Sequence, residues 1–402
     1  MSFSLLALVV AVGLLGPIVS LRAGWRVPVA VGELLGGLLL GTSGLRLIDP
    51  RAGGLDLLAT IGFGLTMVVV GSQIPVRDVL APGPARRSLA RGVLAATAVG
   101  VAAAGIAAVV AVVFRSPHGL LYGVLLASSS AALVLPMLGS VGRGAPSTGE
   151  LVAQVAFADL VCVVALPAVI APERAPEAAL AIVVVAAASA MLGYLAIRLG
   201  RKGRRGRLHA YSERRRFALE LRLSLLVLFG FAAIAEYAGL SIMIAGFALG
   251  LVLSAIGEPR RLARQLFGMT EGFFAPLFFV WLGASIDLRS VGAHPMMIVL
   301  GIVLGGGAVV AHLASRLTGL SWALAAATAG QLGVPVAAVT LGLHSHVLAP
   351  GEDGAILLGA VLTIAVSAFA VRAESRREHA RRRRSPSTHY HGGSGDRLRP
   401  GS

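Results

Sequence analysis

The chain has 402 residues, 56% of them hydrophobic and only 13% charged, about half the charge of an ordinary soluble domain. Its one cysteine, Cys162, lies inside an apolar run, which excludes a disulfide-stapled secreted fold. A net charge of +16 invites a nucleic-acid reading, but the basic residues sit between apolar runs, the pattern of a polytopic membrane protein with no nucleic-acid partner.

A membrane span needs about 20 apolar residues. Thirteen runs qualify: 2–21, 27–45, 55–75, 89–113, 118–140, 149–170, 177–199, 221–238, 240–256, 270–287, 295–315, 320–342 and 353–371. The first has no basic residue before Arg22, so it lacks a signal-peptide leader and reads as a retained helix. If all thirteen cross, the connectors alternate between two sides, and 30 of the 35 basic residues fall on one side. Only Arg46, Arg51, Arg115, Arg174 and Arg289 fall on the other. The positive-inside rule then puts the N-terminus outside and the C-terminus in the cytoplasm of the inner membrane. The expected domain is 1–371, with repeats of about 1–170 and 221–371 joined by helix 177–199 and a basic loop, 200–220. The Arg-rich tail 372–402 is expected to be disordered. No phosphate-cradling glycine loop follows a predicted strand, which argues against an ATP-driven pump on this chain.

The third span ends Gly71-Ser72-Gln73-Ile74-Pro75-Val76-Arg77 and the tenth ends Gly283-Ala284-Ser285-Ile286-Asp287-Leu288-Arg289. The second carries Gly36-Gly37 and Gly41, and the ninth carries Gly246 and Gly250. Both pairs are displaced by seven spans. Seven is odd, so the halves would enter the membrane with opposite polarity, as in secondary transporters built from inverted repeats with interrupted helices at mid-membrane. The fifth span supplies such an interruption at Ser128-Ser129-Ser130, followed by Pro136. Seven spans later the twelfth supplies Gln331-Leu332-Gly333-Val334-Pro335. Non-helical backbone at membrane depth is tolerated only where it is buried or lines a cavity.

Glu33, Asp159, Glu236 and Glu271 are acids within spans that each need a reason. Each costs about 3 kcal/mol or more at the bilayer centre. Glu33 and Glu236 are near span ends and are expected to reach water, and Glu271 is expected to face the dipole of a helix start. Asp159 is different. It sits mid-span with no basic residue within two turns, and its short side chain cannot reach either surface. Desolvation penalises its charged form, so it can hold a proton or a desolvated monovalent cation, but not both.

Over most of residues 1–371 the sequence resembles the cation:proton antiporter-2 family of sodium/proton antiporters and glutathione-gated potassium-efflux systems. The resemblance rests on Gly32-Glu33-Leu34-Leu35-Gly36-Gly37, Ser128-Ser129-Ser130-Ala131, Phe157-Ala158-Asp159, Gly246-Phe247-Ala248-Leu249-Gly250 and Pro276-Leu277-Phe278-Phe279-Val280. It implies an all-α membrane fold with crossed broken helices. It also implies Asp159 as carrier, Ser128, Ser129, Ser130 and Gln331 nearby, a homodimer, and elevator-like movement of a core against a scaffold. Three departures stand out. Ala158 replaces the usual polar residue before the carrier, and Gly307 stands where the family often has a lysine. The Gln331–Pro335 break also lacks the arginine typical of potassium-efflux members. With one carboxylate and no membrane lysine, exchange is expected to be one for one and electroneutral.

His312 points away from the Gly307 position and reads as a packed histidine. His344, His346, Glu352 and Asp353 read as a solvated outer cluster. The expected activity is exchange of H⁺ for Na⁺ or K⁺ through Asp159, with no enzyme chemistry, metal or cofactor. The alternatives are a channel-like efflux protein gated by a separate soluble subunit and a non-transporting membrane scaffold or sensor.

Overall fold

The computed structural model describes residues 2–20, 29–50, 53–72, 84–131, 133–134, 146–201, 219–237, 242–257, 260–286 and 293–384. Among these the secondary structure is helical. Its helices are α1 (Phe3–Gly13), α2 (Leu15–Ser20), α3 (Val29–Leu40), α4 (Leu55–Ser72), α5 (Pro84–Phe114) and α6 (Gly119–Ala127). They continue with α7 (Pro146–Ile170), α8 (Ala175–Arg201), α9 (Leu219–Tyr237), α10 (Ile242–Ile256), α11 (Arg260–Met269) and α12 (Ala275–Ser285). The last four are α13 (Pro295–His312), α14 (Trp322–Ala327), α15 (Gly333–His344) and α16 (Glu352–Arg384).

All thirteen apolar runs carry helical backbone, but among the described residues seven helices are both long and apolar enough to cross a membrane. Several of the others are shortened by interruptions. Leu14 separates α1 from α2, residues 128–130 end α6, and residues 328–332 part α14 from α15. The segments around α5 and α8 are apolar yet only 22% and 17% buried. Val101, Val112, Val113, Leu180 and Val183 stand on the surface. Apolar exposure on that scale needs a lipid solvent: this is an all-α, multi-pass membrane protein.

The C-terminal end departs in part from expectation. Disorder was expected over 372–402, but α16 continues to Arg384, and residues 385–402 lie outside the described residues. Alanine, glutamate and arginine dominate this stretch, and all three are strong helix formers.

The helices pack as two groups. In one, α3 packs on α12 and α4 on α10. At both seams glycines bring backbones into contact: Gly37 meets Val280, Gly283 meets Leu34, Gly246 meets Gly64, and Gly250 meets Val68. A β-carbon at any of these four would collide with a backbone carbonyl. Small residues of this kind are how membrane helices gain van der Waals contact without a hydrophobic driving force between them. In the other group α5 packs on α6 and α7, and α13 packs on α16, again through glycines (Gly301, Gly305 and Gly359). The groups meet chiefly through α8, which touches both α7 and α10.

Candidate functional site

Two backbone interruptions meet at the centre of the second group. Helix α6 ends at Ala127, Ser128 to Ser130 are extended or irregular, and helical backbone resumes at Ala131. The second break leaves α14 at Thr328 and re-enters helix at Gly333, with Pro335 in the first turn of α15. A proline there costs nothing, because first-turn N–H groups have no partner within the helix. The broken segments bond to each other. The Ser130 N–H donates to the Gly330 carbonyl at 2.9 Å. The Ser129 hydroxyl donates to the Thr328 carbonyl at 2.6 Å, and the Ser128 hydroxyl to Gln331 Oε1 at 2.5 Å. From α16 the Ser367 hydroxyl donates to the Ala327 carbonyl at 2.7 Å. These bonds supply part of what the lost helical ladder would have satisfied.

Asp159 projects from α7 towards this crossing and is 3% exposed. Its Oδ2 accepts from the Ala131 N–H, the first of the resumed helix, at 3.4 Å, a long bond. It lines a cavity of about 580 Å³ between the two groups, together with Ser130, Leu133, Leu332, Gly333 and Val336 on its own side. The facing wall is made by α2, α3, α4, the turn 270–274 and α12, and it includes Glu33, Thr66, Thr270 and Glu271. No arginine or lysine is among the lining residues described.

The expected site residues thus separate into two sets. Asp159, Ser130 and Gly333 face the cavity. Ser128, Ser129 and Gln331 are buried, and their bonds hold the two breaks together. Pro136 lies outside the described residues, as does Asp287. Ala158 is buried and does not line the cavity. Gly307, on α13, faces away from it: a β-carbon there would press on Leu126 of α6 at 2.7 Å and Ile106 of α5 at 3.2 Å.

Several residues depart from what the sequence suggested. Glu33 was expected to reach water but is 3% exposed and faces the cavity. It is enclosed because α2 folds back on α3: Gly16 and Gly32 touch, and Gly16 also meets the Glu33 side chain. Glu271 does not start a helix. It sits in a π-helical turn, Thr270–Phe274, that joins α11 to α12. Such turns are frequent at functional sites, and no residue pattern announced this one. Gln154 went unremarked because it is uncharged. It is 1% exposed on α7, its Nε2 donates to the Thr328 hydroxyl at 3.3 Å, and its Oε1 has no partner. The expected outer cluster is also rearranged. Glu352 turns inward to accept from His118 Nδ1 (2.8 Å), the Tyr122 hydroxyl (2.6 Å) and the Ala349 N–H (2.8 Å). His312 is packed as expected, with Nδ1 on the Ala308 carbonyl at 2.8 Å.

A buried carboxylate at a crossing of broken helices can be set beside known proteins. The family model for the transmembrane part of sodium/hydrogen exchangers matches residues 7–372. The chain belongs to this family. The resemblance to cation:proton antiporter-2 proteins is thereby borne out, and the family is one of transporters, not enzymes. Among curated relatives, the putative Na⁺/H⁺ antiporter YjbQ of Bacillus subtilis is 22% identical over 379 residues, 90% of this chain and 61% of that protein. The glutathione-regulated potassium-efflux system protein KefC of Cronobacter sakazakii is 28% identical over 285 residues, 68% of this chain and 45% of that protein. The high-affinity Na⁺/H⁺ antiporter NhaS3 of Synechocystis is 23% identical, covering 84% of this chain and 82% of that one. The chain therefore spans about three fifths of the first relative and under half of the second. The solved sodium proton antiporter MjNhaP1 of Methanocaldococcus jannaschii shares the fold, with a TM-score of 0.64 at 18% identity, covering 94% of this chain and 97% of that one.

Proposed function

We propose that this protein exchanges protons for a monovalent cation, Na⁺ or K⁺, with Asp159 holding one or the other in turn. The observation that carries this proposal is a buried carboxylate facing a cavity with no cationic side chain in its described lining. A lysine or arginine in the lining would supply a fixed counter-charge to the carboxylate. Without one, an ionised Asp159 has, beyond the long bond from the Ala131 N–H, only a proton, a cation or water with which to offset its desolvation. The open Ser130–Ala131 and Leu332–Gly333 backbone beside it resembles the half-helix ends that bind ions in secondary transporters.

An inverted repeat is supported by the helix pairings. Displacement by seven spans exchanges α3 with α10 and α4 with α12, so it turns the α3–α12 seam into the α10–α4 seam. Both seams are present and both are built on glycine. The same operation exchanges the two breaks, which cross each other. The group containing Asp159 is the moving body and the group containing α3, α4, α10 and α12 is the scaffold, with the cavity on the cytoplasmic side where α2 ends and α3 begins. A homodimer would form through the scaffold. Exchange is one for one and electroneutral, because a single carboxylate travels.

The test is reconstitution in liposomes with a lumenal pH dye and external Na⁺, K⁺ or Li⁺, alongside Asp159→Asn. Cation-dependent proton movement in the wild type and none in the mutant is the expected result. Proton movement that persists in a folded Asp159→Asn protein would overturn the assignment.

A further inference from the structure

We infer that Glu33 and Thr270 form a second cation site, fixed on the scaffold wall of the cavity, which concentrates the monovalent cation opposite Asp159 from one side of the membrane only. The inference rests on the exchange proposed above. Glu33 is 3% exposed, lines the cavity, and makes no hydrogen bond or ion pair among the described residues. Gly16 of α2 packs against Gly32 and the Glu33 side chain, and the Glu33 carboxylate lines the cavity. Thr270 is the independent observation. It is 1% exposed, its hydroxyl oxygen has no hydrogen-bond partner, and it lines the same cavity from the π-helical turn. A buried hydroxyl left unpaired costs about 1–3 kcal/mol, which a bound ion or its water shell would recover. Glu271, the next residue, lines the cavity but is exposed and adds negative potential at its mouth.

Carboxylate, hydroxyl and water are hard oxygen donors, suited to alkali cations rather than to soft metals. With no arginine or lysine described in the lining, the cation is the natural counter-charge. The site's location decides what it does. Glu33 sits on α3, which packs on α2 and α12, whereas Asp159 sits on α7, which packs on α5, α6 and α15. If the Asp159 body moves, Glu33 does not move with it. It therefore raises cation occupancy only while the cavity is open to its own side, and it adds no charge to the transport cycle.

The experiment uses the full chain in oriented liposomes, with Na⁺ or K⁺ supplied to one face at a time. Variants are Glu33→Gln, Glu33→Asp and Thr270→Val, each checked for a monodisperse peak. A cavity of about 580 Å³ is on the order of 10 Å across, and a charge at that separation with an effective dielectric near 20 is worth roughly tenfold in ion affinity. Glu33→Gln should therefore raise the half-saturating cation concentration about tenfold from the face on which α3 begins, with no change from the opposite face. Glu33→Asp should recover most of the loss, and Thr270→Val should show a smaller, equally one-sided rise. An equal shift from both faces, or a loss of turnover at unchanged half-saturation, would overturn the inference. If Glu33→Gln does not fold, Thr270→Val carries the same test. Absent exchange in the wild type would overturn both this inference and the proposed function. Wild-type exchange lost in Asp159→Asn, with Glu33 and Thr270 variants normal from both faces, would overturn the second site alone.

Discussion

The bond between Ser128 and Gln331 offers a quantitative test of how the two breaks are held. The serine hydroxyl has one proton and two acceptors within reach, Gln331 Oε1 at 2.5 Å and the Leu125 carbonyl at 2.9 Å. In Gln331→Leu the proton falls back on Leu125, so no donor is orphaned. The cost is the net worth of one bond, about 1 kcal/mol, between the average of about 0.6 and the maximum of about 1.7 kcal/mol measured for membrane-embedded hydrogen bonds. In Ser128→Ala the buried Gln331 oxygen is stranded, and the cost rises towards about 2 kcal/mol. The double variant removes both groups, so its cost should fall short of the sum by about 1 kcal/mol. Unfolding in mixed micelles with increasing SDS measures all four proteins. Because Gln331 does not line the cavity, the same variants should slow turnover while leaving half-saturating cation concentration within about twofold, a margin of less than 0.5 kcal/mol. Additive single effects would show that the breaks are not tied by this bond. A tenfold rise in half-saturation for Gln331→Leu would place Gln331 on the ion and refute the geometry.

Other perturbations follow from the same contacts. Glu352→Ala withdraws the shared acceptor of His118, Tyr122 and the Ala349 N–H, and should destabilise by about 2–3 kcal/mol; Glu352→Gln should cost roughly half as much in the same unfolding assay. Gly283→Val drives a side chain into the Leu34 carbonyl, so the protein should fail to run as a single peak on size-exclusion chromatography. Gly307→Lys, at the position where the sequence resemblance implied a lysine, meets Leu126 and Ile106 instead of the cavity. It should cost about 1–3 kcal/mol of stability and leave the ion dependence of exchange unchanged.

Much of the architecture was legible because the membrane imposes a strong rule on composition. A span must be apolar throughout, so a mid-span aspartate or a triple serine stands out against its neighbours without any knowledge of packing. Asp159 and both breaks were found that way. Ser128, Ser129 and Gln331 were found by the same signal, but the sequence could not divide them from Ser130, since which side of a break faces a cavity depends on the other break packed against it.

Glu33 shows most clearly where sequence reasoning stopped. Being one turn into its run, it had an apparent route to water, and that route is closed only because α2 reverses onto α3 at Gly16 and Gly32. The glycines were visible, yet their meaning lies in a contact between two helices. Gly32 and Gly36, flanking Glu33 at −1 and +3, were the available hint: small residues mark the face of a membrane helix that another helix approaches, and a glutamate on that face is enclosed by protein. Gln154 carried a similar hint, an amide within an apolar run on the same helix as Asp159. The physical lesson concerns what hides a polar group in lipid. Charge alone identifies the groups whose burial is costly, whereas the small residues around them identify the groups that are buried nonetheless, and those are the groups a moving ion can meet.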